Sequence, residues 1–130
     1  MIWVQDMGAP VAQLTADTLL NIGFRDVAKW VKADKESTIA YELDCANATA
    51  HHAMLDVRNA LYAFVQGDNV NYIGKTARSI KKRFVGYCNP GSTQQTNQRC
   101  HENIKALLKR DTETRIFVFT PISDLQRISD

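Results

Sequence analysis

Two short apolar runs joined by a turn dominate the middle of the chain. Residues 60–66 (Ala-Leu-Tyr-Ala-Phe-Val-Gln) and 70–73 (Val-Asn-Tyr-Ile) are rich in aromatic and β-branched side chains, which favour strands. The residues between them, Gly67-Asp68-Asn69, have the composition of a turn, so the segment predicts a β-hairpin. If Gln66 pairs with Val70 around a three-residue turn, Tyr62 and Tyr72 become diagonal neighbours on one face of the hairpin.

The segment before the hairpin contains a helix and two strands. Apolar spacing predicts a helix over residues 11–22, with Gly23 at the position that favours a helix C-terminus. Residues 24–31 and 37–43 predict two strands around a polar turn. We assign residues 1–57 to an N-terminal α/β extension, for which the sequence indicates no chemistry.

The segment after the hairpin predicts two helices and a strand. Thr76 or Ser79 caps the first helix, which ends at Cys88, and the second helix begins near Thr96. Residues 114–120 are apolar on both faces, as in a central strand. The predicted fold is therefore α+β: a small, mainly antiparallel three-stranded sheet flanked by helices, with the N-terminal helix and hairpin as an extension to a domain of residues 58–130.

Charge and cysteine content restrict the partners and the compartment. Residues 1–56 contain four Lys/Arg and eight Asp/Glu, whereas residues 57–130 contain twelve and six. This asymmetry predicts a surface that faces a polyanion. The odd number of cysteines favours free thiols in the cytoplasm over a disulfide framework. No apolar run approaches the roughly 20 residues of a membrane helix, so we expect no membrane contact.

Two common ligand motifs are incomplete in this sequence. Gly74-Lys75-Thr76 matches the end of a nucleotide P-loop, but the glycine required five positions earlier is replaced by Asn69. The cysteines lack the spacing of a zinc knuckle. We therefore expect Cys88 and Cys100 to be buried free thiols, and the histidines, His51, His52 and His101, to lie at the surface.

Another set of residues has the composition that phosphodiester hydrolysis needs, namely a base and cations for the charged transition state. Its members are Tyr62, Tyr72, Lys75, Arg83 and Tyr87. A tyrosine has a pKa near 10, so it serves as a base only if a cation such as Lys75 stabilises the phenolate. Arg83 has the geometry to bind two phosphoryl oxygens. Further phosphate contacts are expected from Arg78, Lys81 and Lys82, unless these form an ordinary solvated helix face.

These residues resemble the GIY-YIG nuclease domain over roughly residues 58–120. Ala60-Leu61-Tyr62 stands where the family has Gly-Ile-Tyr, and Tyr72-Ile73-Gly74 matches the second element unaltered. Arg83 matches the family's catalytic arginine on the following helix, and Tyr87 matches the His or Tyr found four residues later. Lys75 matches the lysine that follows the second glycine in excision-repair members. Ala60 replaces a glycine whose role in the family is packing.

The resemblance implies a DNA endonuclease that uses Mg²⁺ or Mn²⁺. One of Tyr62 and Tyr72 would act as general base, Lys75 would tune its pKa, Arg83 would stabilise the transition state, and Tyr87 would orient these groups or contact phosphate. The family's metal ligand is a glutamate on a helix after the third strand, whereas this chain has no glutamate beyond Glu113. The metal ligands are therefore not assigned.

Three explanations for the absent glutamate stay open. The domain is C-terminally incomplete, or it binds DNA without cutting it, or Glu102 on the second helix has taken over the role. In the first case, one face of the sheet would be uncovered, and a homodimer formed through that face is a hypothesis.

Overall fold

The computed structural model describes residues 2–3, 14–33, 39–43 and 53–120. The strands are β1 (Ile2–Trp3), β2 (Arg25–Lys32), β3 (Ile39–Leu43), β4 (Ala60–Gln66), β5 (Asn69–Thr76) and β6 (Thr114–Phe119). The helices are α1 (Ala16–Ile22), α2 (Ile80–Cys88) and α3 (Gln95–Leu108), and residues 53–55 add a short helical segment.

The described strands form one antiparallel sheet in the order β1-β5-β4-β6-β2-β3. The α+β class with a mainly antiparallel sheet is confirmed, but the sheet has more strands than the predicted three. The reason is that β6 is a central strand with two edges to satisfy, and it pairs with β4 on one edge and β2 on the other. The N-terminal hairpin thereby continues the sheet, while the division at residues 57 and 58 stays a prediction.

The β4–β5 hairpin has the predicted tyrosine register, although its turn differs from the prediction. Gln66 pairs with Asn69 rather than Val70, so the turn has two residues, and Gly67 adopts a φ of 59° there. The register then shifts, and Phe64 pairs with Tyr72 and Tyr62 with Gly74, as predicted. A β-bulge at Asn71 thus adds back the residue that the shorter turn removes.

The helix ends follow the capping residues in the sequence, with one exception. Ser79 Oγ accepts a hydrogen bond from the Lys82 backbone N–H at 3.2 Å and begins α2. Gly23, with a φ of 116°, ends α1 as predicted, whereas the predicted start is wrong, because the helix begins after its N-cap Thr15 and Leu14 is not helical. The start of α3 was predicted near Thr96, but the helix begins at Gln95, and its N-cap residue Gln94 makes no side-chain capping bond. Residues 11–13, 34–38, 44–52 and 121–130 of the predicted segments lie outside the described residues.

The two faces of the sheet carry separate apolar clusters. The α2 and α3 helices pack on the face that holds Tyr62, Phe64 and Tyr72, and α1 covers part of the opposite face through Leu19. Among the described residues, no helix combines the length and apolar character required to cross a membrane.

The predicted histidine and thiol positions are only partly correct. Cys100 is buried and Cys88 half-buried, and both are free thiols. The prediction that His101 lies at the surface is wrong, because this residue is only 8% exposed and its Nδ1 lies 2.8 Å from the Tyr87 backbone carbonyl oxygen. The cause is its place on the inner face of α3, where a backbone acceptor compensates the polar ring. Cys45, His51 and His52 lie outside the described residues.

Candidate active site

Three tyrosine hydroxyls meet between the sheet and α2. Tyr62 on β4 and Tyr72 on β5 point to the same face, and Tyr87 reaches them from the last turns of α2. The Tyr62 and Tyr87 hydroxyl oxygens are 2.5 Å apart, and those of Tyr72 and Tyr87 are 3.4 Å apart. All three side chains are buried, with 0% exposure for Tyr62 and Tyr87 and 2% for Tyr72.

Gly74 makes room for two of these rings. A Cβ atom at this position would lie 2.6 Å from Tyr62 Cζ and 2.8 Å from Tyr72 Cε1, far inside van der Waals contact. The glycine of Tyr72-Ile73-Gly74 therefore has a steric function, because both phenol groups cross its position in the strand. Its neighbour Lys75 is exposed on the same strand.

The environment of the cluster favours neutral phenols. Burial, together with the nearby Tyr62, raises the pKa of Tyr72 well above its usual value. Burial also raises the pKa of Tyr87, with Tyr62 again a contributor. Tyr72 and Tyr87 are therefore hydrogen-bonded neutral phenols near pH 7 in this arrangement.

Arg83 lies over the tyrosine cluster. Its Nη1 donates to Asn97 Oδ1 at 3.0 Å, and its Cζ is 4.7 Å from the centre of the Tyr87 ring, which is a cation–π distance. Burial lowers the pKa of Arg83, but its contacts with Tyr62 and Tyr87 outweigh this effect, and the net pKa is raised. The guanidinium is thus a permanent cation.

A cleft of about 410 Å³ opens above Arg83. Its lining contains no acidic residue and consists of Lys75, Thr76, Ala77, Arg78, Lys82, Arg83, Gly86, Gln94 and Asn97. A second cleft of about 660 Å³ adjoins it, shares Arg78 and Arg83, and continues along residues 93–97 at the start of α3. Together they form a polar groove between the β5–α2 connection and the α2–α3 loop.

The cations of this groove lack acidic partners within the described part of the chain. The Lys75, Arg78 and Lys82 side chains make no ion pair or hydrogen bond there, whereas some cations outside the groove are paired. Lys29 contacts Glu113 at 3.1 Å, and Arg115 contacts Asp26 at 2.9 Å. Because unpaired cations in a concave surface raise its positive potential, the groove is suited to an anion.

The structure divides the predicted site residues into two layers connected by Arg83. Lys75, Arg78, Lys82 and Arg83 line the groove, and Tyr62, Tyr72 and Tyr87 lie beneath Arg83 rather than in the lining. Lys81 is exposed on α2 and lines neither cleft. Gly74-Lys75-Thr76 belongs to β5, so this segment is a strand and not a phosphate loop.

The described residues do not offer a site that fits a divalent metal ion. No group of three His, Cys, Asp or Glu side chains within them could hold an ion. Glu102 is an exposed residue of α3, and its Oε1 lies 3.6 Å from Lys105 Nζ. Asp124 and Asp130, the only carboxylates after Glu113, are outside the described residues.

Sequence patterns did not predict three residues that shape the groove: Gln94, Asn97 and Gly86. Asn97 bonds to Arg83, Gln94 bonds to Asn97, and Gly86 of α2 lies against the Asn97 amide. The signal present in the sequence is weak, since two amide side chains three residues apart are also common in solvated loops. Only the packing of α2 against α3 gives them a role.

Solved proteins of similar fold share little sequence identity with this chain. One similar solved structure is the restriction endonuclease HPY188I in complex with product DNA, with 16% identity, a TM-score of 0.60, and coverage of 81% of this chain. Another is a mutant of bacteriophage T4 EndoII, with 18% identity, a TM-score of 0.52, and coverage of 80% of this chain and 70% of EndoII. The chain spans 60% of the length of HPY188I. No protein-family model and no curated protein matches the sequence.

Proposed function

We propose that the chain is a GIY-YIG-type endonuclease that hydrolyses DNA phosphodiester bonds with Mg²⁺ or Mn²⁺. The observation that carries the proposal is the position of Arg83, which lines a cation-rich groove on one side and contacts the tyrosine cluster on the other. The likeness in fold to a restriction endonuclease solved with product DNA supports the same class of substrate.

The groove residues have separate roles in this proposal. Lys75, Arg78 and Lys82 hold phosphates on either side of the bond that is cut, and Lys81 adds an outer contact. Such contacts give affinity that depends on salt and not on base sequence. Arg83 binds the reacting phosphate and stabilises the additional negative charge of the transition state.

The tyrosine cluster supplies the base in this proposal. Tyr62 and Tyr72 both qualify through their shared position beneath Arg83, and we do not rank them. Because the pKa of Tyr72 is raised by burial, proton transfer to a phenolate requires a cation close by, and the proposal gives this function to Lys75, three residues along the same strand. Tyr87 holds the other two phenols through its hydroxyl group.

The metal requirement comes from the family resemblance, in which the ion stabilises charge on the phosphate. Since the described residues do not fit a divalent ion, we assign no ligand and derive no step through it. That mismatch favours a second candidate function, a DNA-binding module on the same scaffold that does not cut. A cytoplasmic location and a homodimer are further parts of the proposal.

A cleavage assay separates the two functions. Supercoiled plasmid and linear duplex are incubated with the protein in Mg²⁺, in Mn²⁺ and in EDTA. Metal-dependent nicking that Arg83→Ala abolishes supports the enzyme, and salt-sensitive binding without nicking supports the module. Arg25→Ala is the matched control, because Arg25 is an exposed arginine of β2 that does not line the groove. Absence of both binding and nicking contradicts both functions.

A further inference from the structure

Asn97 connects Arg83 to a hydrogen-bond network in the α2–α3 loop. Its Oδ1 accepts from Arg83 Nη1 at 3.0 Å, and its Nδ2 donates to Gln94 Oε1, also at 3.0 Å. Gln94 Oε1 in turn accepts from the Gly91 backbone N–H at 3.0 Å. The amide of Asn97 is therefore held at both ends, with its oxygen directed at the guanidinium.

Glycine at residue 86 leaves room for this amide where α3 approaches α2. A Cβ atom on Gly86 would lie 3.0 Å from Asn97 Nδ2, closer than side chains ordinarily approach. Gln98 adds a second connection to the loop, because its Nε2 donates to the Gly91 carbonyl at 2.7 Å. Gln94 and Gln98, which lie on either side of Asn97, therefore both hydrogen-bond to the backbone of Gly91.

We propose that Asn97 is a positioning residue for Arg83. It fixes one terminal nitrogen, the Tyr87 ring supports the guanidinium plane, and the side of the guanidinium that lines the groove is left for a phosphate. An arginine without these supports samples many rotamers, and this freedom is lost when a ligand binds. The network orders Arg83 before the ligand arrives, and it acts on the reaction only through Arg83.

The first test measures the order of the Arg83 side chain in the full chain without DNA, by ¹⁵N relaxation of its Nε–H group. We expect an order parameter near that of rigid backbone in the natural sequence, and a fall below about 0.6 in Asn97→Leu. The matched control is Asn103→Leu, which makes the same change on the same helix at an amide nitrogen without a hydrogen-bond partner among the described residues. This control should leave Arg83 ordered.

Two results overturn the proposal in this test: an Arg83 that is mobile in the natural sequence, and an Arg83 that stays ordered in Asn97→Leu. If Asn97→Leu does not fold, Gln94→Leu takes its place, since Gln94 is exposed and its loss frees the Asn97 amide to rotate. Gln94→Leu should also lower the order parameter, and an unchanged value contradicts the proposal.

The second test rests on the proposed function and uses a double-mutant cycle on affinity for a short DNA duplex in EDTA. Asn97→Leu should weaken binding roughly 2- to 10-fold in the natural background, because a flexible arginine must be ordered on binding. It should cause no further loss in an Arg83→Ala background. Additive losses contradict a role through Arg83. If the natural chain does not bind duplex, the proposed function fails, and the relaxation measurement still decides the inference.

Discussion

Replacement of Gly74 by alanine tests the packing that brings the tyrosines together. The new Cβ would lie 2.6 Å from Tyr62 Cζ, so the ring must move by about 0.8 Å to reach ordinary contact. Neither ring has free space, because Tyr72 stacks on Phe64 at 5.0 Å between centroids and lies 4.6 Å from the Trp3 ring. Overpacking of a buried site costs about 1–3 kcal/mol. Since two rings must shift, we expect a loss near the upper value.

The assays for Gly74→Ala are urea unfolding and thermal unfolding, both followed by circular dichroism. A loss of about 3 kcal/mol corresponds to a fall in Tm of about 10 °C for a chain of this size. The control is Gly67→Asn in the same hairpin, because no atom of the described residues lies within 4 Å of a Cβ there and asparagine tolerates its φ of 59°. Gly67→Asn should change stability by less than about 1 kcal/mol. An equally small change for Gly74→Ala would refute the predicted packing of the rings over Gly74.

Three more predictions concern buried polar groups. Gln66→Leu should lower the free energy of unfolding by about 2 kcal/mol in urea titrations, because the Gln66 amide donates to the Leu107 carbonyl at 2.9 Å and to Thr114 Oγ1 at 3.0 Å. Burial raises the pKa of Cys88 to about 11, so iodoacetamide at pH 8 should label this thiol on the order of 100-fold more slowly in the folded than in the unfolded chain. Peptide mass spectrometry measures the two labelling rates, and equal rates would contradict the burial of Cys88. The pKa values of Tyr72 and Tyr87 are raised in the folded chain, so their neutral phenols contribute fully to the free energy of unfolding below pH 10. This contribution should be lost as the pH rises further, and the free energy of unfolding should fall less steeply with pH in Tyr72→Phe.

Much of the site could be predicted because its residues are close together in the sequence. Tyr62, Tyr72 and Arg83 lie on one hairpin and the helix that follows it, so strand pairing and helical spacing suffice to place them near one another. Burial of the tyrosines was not predicted, because it depends on how α2 crosses the sheet.

The features that the sequence did not predict arise from contacts between distant segments. Asn97 and His101 look like ordinary polar residues of a helix, and their partners, the Arg83 guanidinium and the Tyr87 carbonyl, come from a different helix. In the same way, the sequence patterns of β2 and β3 predict two strands but do not specify that β2 pairs with β6. The periodicity of apolar residues indicates which face of a helix or strand is buried, but it does not indicate which other element packs against that face.

The two-residue turn and the bulge at Asn71 shift the pairing of β4 with β5 by one residue in opposite directions. The pairing of the tyrosines depends only on the sum of these two shifts. A chain that gained one residue in the turn and lost one at the bulge would keep Tyr62 opposite Gly74. If the same sequence formed a three-residue turn and kept the bulge, Tyr72 would move to the other face of the sheet. The number of residues between the two tyrosines therefore determines whether the cluster forms, and a three-residue turn without a bulge would give the same pairing.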